Sequence, residues 1–169
     1  DRCILEVDIS TLVHPGCNEV CVATGLTHFL PVGLQHTLWI EGDFAVQSVG
    51  EREVLFAPDQ CLQIGSWTTQ GFPYYSGSAV YRQWATIPET MRYRRFYVQF
   101  ESVRDFVEIR VNGSTIETLF SPPWESEVSE AVVLGENKFE FVVTNSLYNV
   151  FEVSPRPSGI LGTVTLEAR

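Results

Sequence analysis

One phrase occurs twice in this chain, and it constrains the fold more than any other feature. Asp8-Ile9-Ser10 is followed by Gly16 and Asn18, after which Val20 and Val22 alternate with other residues. Glu127-Val128-Ser129 is followed at the same spacings by Gly135 and Asn137, then Phe139 and Phe141, each position 119 residues further on. In physical terms a short strand enters a Gly-x-Asn turn, where both residue types tolerate left-handed backbone, and a second strand leaves with every other side chain apolar. A repeated strand-turn-strand unit, in a sequence without helical periodicity, predicts an all-β, antiparallel chain.

The remaining runs agree. Short β-branched and aromatic stretches predict strands near 4–9, 18–24, 36–41, 43–49, 52–56, 61–64, 78–86, 94–101, 105–111, 115–119, 138–144 and 160–168, with at most one short helical turn around 125–134. Turn chemistry separates them: Pro15-Gly16, Gly42-Asp43, Asn112-Gly113, Pro122-Pro123 and Gly135-Glu136-Asn137. Asn112-Gly113 is the strongest hairpin signal, because a type I′ turn needs positive φ at both central residues. Many short strands at this density predict a β-sandwich or jelly roll.

Net charge excludes some partners. At −10 the chain lacks the basic face that nucleic acid or an anionic membrane requires. No apolar run approaches the roughly 18 residues of a membrane-spanning helix. The sequence opens on Asp1 without an initiator Met or a signal-peptide pattern, which reads as a piece of a longer polypeptide; its compartment is not legible.

Four cysteines stand at 3, 17, 21 and 61. On a strand, Cys17 and Cys21 would lie roughly 13 Å apart at about 3.3 Å per residue, too far for a disulfide. His14, His28 and His36 do not complete a metal-ligand spacing with them, so the expectation is buried free thiols, no metal and no cofactor. A Cys3–Cys61 bridge stays open.

Residues 66–169 read as one continuous unit. Residues 1–65 either supply extra strands to it or are left over from a preceding unit of the same kind. His36–Glu41 follows the first copy of the phrase much as Gly162–Glu167 follows the second. A composite domain is the favoured expectation, because an isolated two- or three-strand fragment exposes an apolar face.

From Trp67 onward the order of motifs resembles a known family. Gly71-Phe72-Pro73-Tyr74-Tyr75-Ser76-Gly77 leads to Val80-Tyr81, Val111-Asn112-Gly113 and Pro122-Pro123-Trp124. The Gly135-x-Asn137 turn, Val143-Thr144-Asn145-Ser146-Leu147 with Asn149, and Ser158-Gly159-Ile160-Leu161-Gly162 complete the order. Together these resemble the galactose-binding-like jelly rolls attached to family 2 and α-L-rhamnosidase-like glycoside hydrolases. The resemblance implies a non-catalytic accessory module of a bacterial glycoside hydrolase. Its partners would be the catalytic and neighbouring domains of the same polypeptide, with a neutral glycan as the alternative.

The residues themselves offer no catalytic set. No pair among the 21 acidic residues stands out as the two carboxylates a glycosidase needs, and no nucleophile elbow is present. Sugar recognition needs aromatic faces and planar hydrogen-bonding groups. Trp67, Tyr74, Tyr75 and Trp124 could supply the first, and Asn145, Asn149 and Arg156 the second. Each has a structural alternative: the tryptophans as core anchors, Asn145 as a cap for loop backbone. Tyr74 and Tyr75 would face opposite sides if they lay on a strand.

Overall fold

A computed structural model describes residues 6–23, 38–59, 61–152 and 154–169. The chain divides into two compact units, Asp1–Glu41 and Gly42–Arg169.

Among its described residues the second unit is all-β apart from two 3₁₀ turns, Trp67–Thr69 and Glu89–Met91, and one helical turn, α1 (Tyr148–Phe151). Its strands are β1 (Ala45–Val49), β2 (Arg52–Phe56), β3 (Ser78–Ile87), β4 (Phe96–Phe100), β5 (Val103–Arg104) and β6 (Phe106–Val111). They continue with β7 (Ser114–Leu119), β8 (Glu125–Glu127), β9 (Gly135–Thr144), β10 (Gly159–Ile160) and β11 (Val164–Ala168). Four antiparallel sheets result, with orders β3-β9-β6-β7, β11-β4-β8, β1-β2 and β10-β5.

Alternation decides what faces inward. In β4 the buried residues are Phe96, Val98 and Phe100; in β6 they are Val107, Ile109 and Val111; in β9 they are Asn137, Phe139, Phe141 and Val143. Side chains from the four-stranded and three-stranded sheets join one hydrophobic cluster, and Phe100 of β4 meets Phe141 of β9 edge-to-face at 5.0 Å. Burying each such ring contributes about 1.5–3 kcal/mol, so this cluster carries most of the unit's stability.

The hairpin expected at Asn112-Gly113 forms between β6 and β7, with φ of 51° and 86° at its two central residues. Asn112 also works outward: its Oδ1 accepts from Lys138 N and its Nδ2 donates to Ala131 O and Asn137 Oδ1. The repeated phrase takes its expected turn. After β8, Ala131 N and Val132 N donate to Val128 O, the chain turns through Gly135 (φ 93°), and the buried Asn137 closes the loop. Asn137 Oδ1 accepts from Val133 N, and its Nδ2 donates to Val133 O and Gly135 O.

The structure corrects several expectations. The described parts of 4–9, 18–24 and 36–41 form no strand, and 61–64 is not one either; the rest of the first three lies outside the described residues. The helical turn considered near 125–134 is instead β8 followed by a turn, and a helical turn forms at Tyr148–Phe151. Cys17, Cys21 and Cys61 are exposed, not buried. Residues 17–23 build no ladder, and among the described residues no apolar layer covers Cys17 and Cys21. Cys3 lies outside the described residues. The division at Glu41/Gly42 puts the β1–β2 hairpin with the second unit, where Val46 N donates to Gly71 O.

Candidate functional site

The loops at one end of the four-stranded sheet bring most of the candidate residues together. β3 begins there at Ser78, β9 ends there at Thr144, and the segments 65–67 and 158–160 run side by side. Gly65 N donates to Ile160 O and Trp67 N to Ser158 O, both at 2.9 Å. Ser66 caps the 3₁₀ turn through its Oγ, which accepts from Thr68 N and also from Ser158 N.

Trp67 is an anchor. Its ring is buried in the core cluster, its Nε1 donates to Tyr81 Oη at 2.7 Å, and Tyr75 packs edge-on against it at 5.8 Å. Gly159 explains the closeness of these layers. A Cβ there would lie 2.6 Å from Trp67 Nε1 and 2.8 Å from Tyr81 Oη, and the φ of 107° would strain any side chain.

Asn145 and Asn149 are buried and spent inward. Asn145 Oδ1 accepts from Gly77 N at 2.9 Å, and its Nδ2 donates to Tyr75 O at 2.8 Å and Ser158 Oγ at 3.0 Å. Asn149 Oδ1 accepts from Arg156 N at 2.8 Å, and its Nδ2 donates to Arg156 O and to the same Ser158 Oγ. Ser158 is therefore the hub that ties both amides together, a role the sequence did not single out. Asp105 closes another side, its Oδ2 accepting from Ser146 N at 2.7 Å.

What remains open is small. Arg104, Asp105, Ser146, Tyr148 and Arg156 line, with the buried amides, a cavity of about 50 Å³. The exposed Arg156 guanidinium lies 3.8 Å over the Tyr148 ring. A second, apolar cavity of about 230 Å³ lies between Leu62, Trp67, Phe72, Tyr75 and Ala79. Ligand pockets usually enclose roughly 300–1,000 Å³, so neither fits the common type.

Two candidates lie elsewhere. Tyr74 hydrogen-bonds Glu53 of β2, and that carboxylate holds the phenol above its usual range. Trp124 is half-buried against the core just before β8, and lines neither cavity. Of the three arginines at 92, 94 and 95, Arg92 pairs with Glu89 and Arg95 approaches Glu127 at 3.9 Å. Among the described residues no group of three His, Cys, Asp or Glu is placed to hold a metal ion.

Comparison with known proteins adds context. No protein-family model matches the chain. A protein of Formosa agariphila that bears the provisional name β-glucuronidase is 30% identical over 88 residues, 49% of this chain and 8% of that one. A rhamnosidase from Novosphingobium sp. PP1Y aligns with 77% of this chain and 16% of its own length, at 22% identity and a TM-score of 0.52. A family 2 β-galacturonidase from Eisenbergiella tayi covers 73% at 17% identity, with a TM-score of 0.49. The chain thus shares its all-β fold with a part of the rhamnosidase, and it spans less than a quarter of each of these proteins.

Proposed function

We propose that this chain is a non-catalytic accessory module of a larger bacterial glycoside hydrolase, a galactose-binding-like β-sandwich that braces the neighbouring catalytic domain. The observation that carries this reading is the 30% identity with one segment of a protein named for glycoside hydrolysis, a segment that makes up only 8% of it. The sandwich reading is supported by the single cluster shared between the three- and four-stranded sheets.

Bracing is favoured over neutral-glycan binding by how the loops spend their groups. The two amides best suited to sugar hydroxyls are occupied by backbone and Ser158, and an amide used twice inward has little left to offer a ligand. Around them Leu147, Val150 and Phe151 point outward and are exposed, which suits protein docking better than a hydrated sugar. The isolated chain should hydrolyse neither p-nitrophenyl β-D-glucuronide nor p-nitrophenyl α-L-rhamnoside, and calorimetric titration with glucose, galactose or rhamnose should give no heat. Turnover of either glycoside, or saturable binding lost on Asn145→Asp substitution, would refute the proposal.

One observation favours a second reading. Arg104 and Arg156 line the small cavity with a single carboxylate, Asp105, and neither arginine is ion-paired among the described residues, so a net positive rim stands out on an acidic chain. An acidic sugar would suit that rim, since guanidinium groups bind carboxylates in pairs. Binding of glucuronate but not glucose, abolished by Arg156→Ala, would select it.

A further inference from the structure

The N-terminal unit reproduces five hydrogen bonds of the turn that joins β8 to β9. Leu12 N and Val13 N donate to Ile9 O at 2.9 and 3.2 Å; their counterparts Ala131 N and Val132 N donate to Val128 O at 3.1 and 3.2 Å. Asn18 Oδ1 accepts from His14 N, and its Nδ2 donates to His14 O and Gly16 O. Asn137 makes the same three bonds to Val133 N, Val133 O and Gly135 O. Gly16 and Gly135 share the left-handed backbone, at φ 103° and 93°. A Gly-x-Asn pair alone is common, but five matched hydrogen bonds at one sequence offset are not a generic turn.

Burial then separates the copies. Phe139 and Phe141, on β9, are 3% and 6% exposed, whereas their counterparts Val20 and Val22 are 57% and 51% exposed. After each copy a second alternating run follows. Val164 and Leu166 of β11 pack on the core, while Leu38 and Ile40, at matching places in Leu38-Trp39-Ile40-Glu41, are 57% and 51% exposed. The first unit thus holds the turn and inward-patterned residues of two strands without any strand partner among the described residues. In the second unit β9 is sandwiched between β3 and β6, and β11 pairs with β4.

We propose that residues 6–23 and 38–41 belong to the closing strands of a preceding copy of this fold, and that the surface carrying Val20, Val22, Leu38 and Ile40 is completed by an upstream stretch of the same polypeptide. That stretch is the equivalent of β3 through β7. Residues 18–23 insert between its first and fourth strands, the counterparts of β3 and β6, and 38–41 add to the edge of its second, the counterpart of β4. The partner is identified by build: an alternating, apolar-faced antiparallel sheet with unpaired backbone groups on both sides of one vacant strand position. The polypeptide therefore carries at least two such units in tandem, joined near Glu41/Gly42.

The test compares amide hydrogen exchange in the 169-residue chain with that in the same chain extended by the roughly 120 residues that precede Asp1 in its own reading frame, a domain-sized stretch. In the 169-residue chain the amides of 18–23 should exchange at unprotected rates while those of 137–142 are protected. In the extended protein, 18–23 and 38–41 should slow at least a thousandfold. Val20→Asp should abolish that protection and leave 137–142 unchanged. Protection of 18–23 already present in the 169-residue chain, whether independent of concentration or growing with it through pairing of two copies, would overturn the proposal. So would exposure that persists in the extended protein, or a reading frame with no strand-rich segment before Asp1.

Discussion

Replacing Asn145 by Ala tests most sharply whether the loop amides hold the fold or face a ligand. The side chain makes three hydrogen bonds, to Gly77 N, Tyr75 O and Ser158 Oγ. Each is worth about 0.5–1.5 kcal/mol net, and a buried group left unpaired costs about 1–3 kcal/mol. Ser158 Oγ keeps its bond from Asn149, so only the Gly77 and Tyr75 backbone groups are stranded. The expected loss is therefore about 2–3 kcal/mol. For a unit of this size that lowers the melting temperature by roughly 8–12 °C. It also lowers the urea midpoint by about 1–1.5 M at an unchanged slope of about 2 kcal/mol per molar. Urea titration followed by circular dichroism and by tryptophan fluorescence, with coincident transitions, measures it. A variant within about 0.5 kcal/mol of the parent would mean that the amide carries no structural weight, and the argument that it is spent inward would fail.

Three further outcomes are expected. Gly159→Ala forces a Cβ against Trp67 Nε1 and Tyr81 Oη at positive φ, and should destabilise by about 3 kcal/mol or more, seen as a large drop in thermal midpoint. Cys17, Cys21 and Cys61 should each react with iodoacetamide in the native protein, as peptide mass mapping would show, with no change in the melting of the second unit. Acid should weaken the sheets: Arg169 and Gln99 hold the Glu125 carboxyl below its usual range, and Lys138 and Arg82 do the same for Glu140. Because both folded-state values lie below the unfolded ones, their contribution is complete above about pH 4.5 and is lost as pH falls through the lowered values. Glu140→Gln should flatten that part of the stability profile in unfolding experiments between pH 3 and 6.

Particular elements show how far the sequence could be read. β6, β7 and β9 were legible because their apolar alternation and the Asn112-Gly113 turn agree. β8 was legible only at its end, where the repeated phrase implies a strand at Glu127-Val128-Ser129; Glu125-Ser126-Glu127 lacks any β-branched or aromatic residue, and its strand state is imposed by pairing with β4. The reverse holds at 61–64, whose alternation suggests a strand, but Gln63 N goes instead to Gln70 Oε1. At the candidate site, the loops that carry Trp67, Tyr75, Asn145 and Asn149 come together in the structure, whereas the sequence grouped those residues by type alone. A backbone-capping role was open for Asn145, but its partners were not legible. Asn145 bonds to residues 68 and 70 positions away, and nothing local in the sequence signals such partners. Trp124 and Tyr74 were grouped with that site only by residue type, and they serve the core and the β1–β2 hairpin region instead.

The proposed bracing role is measured most directly in the full-length polypeptide, by comparing glycoside hydrolysis and thermal inactivation with and without residues 42–169. A brace predicts that the truncated enzyme keeps its turnover at low temperature but inactivates several degrees earlier, with no change in its preference among sugars. Unchanged thermal inactivation, or a turnover lost at every temperature because a catalytic group went with the module, would contradict it.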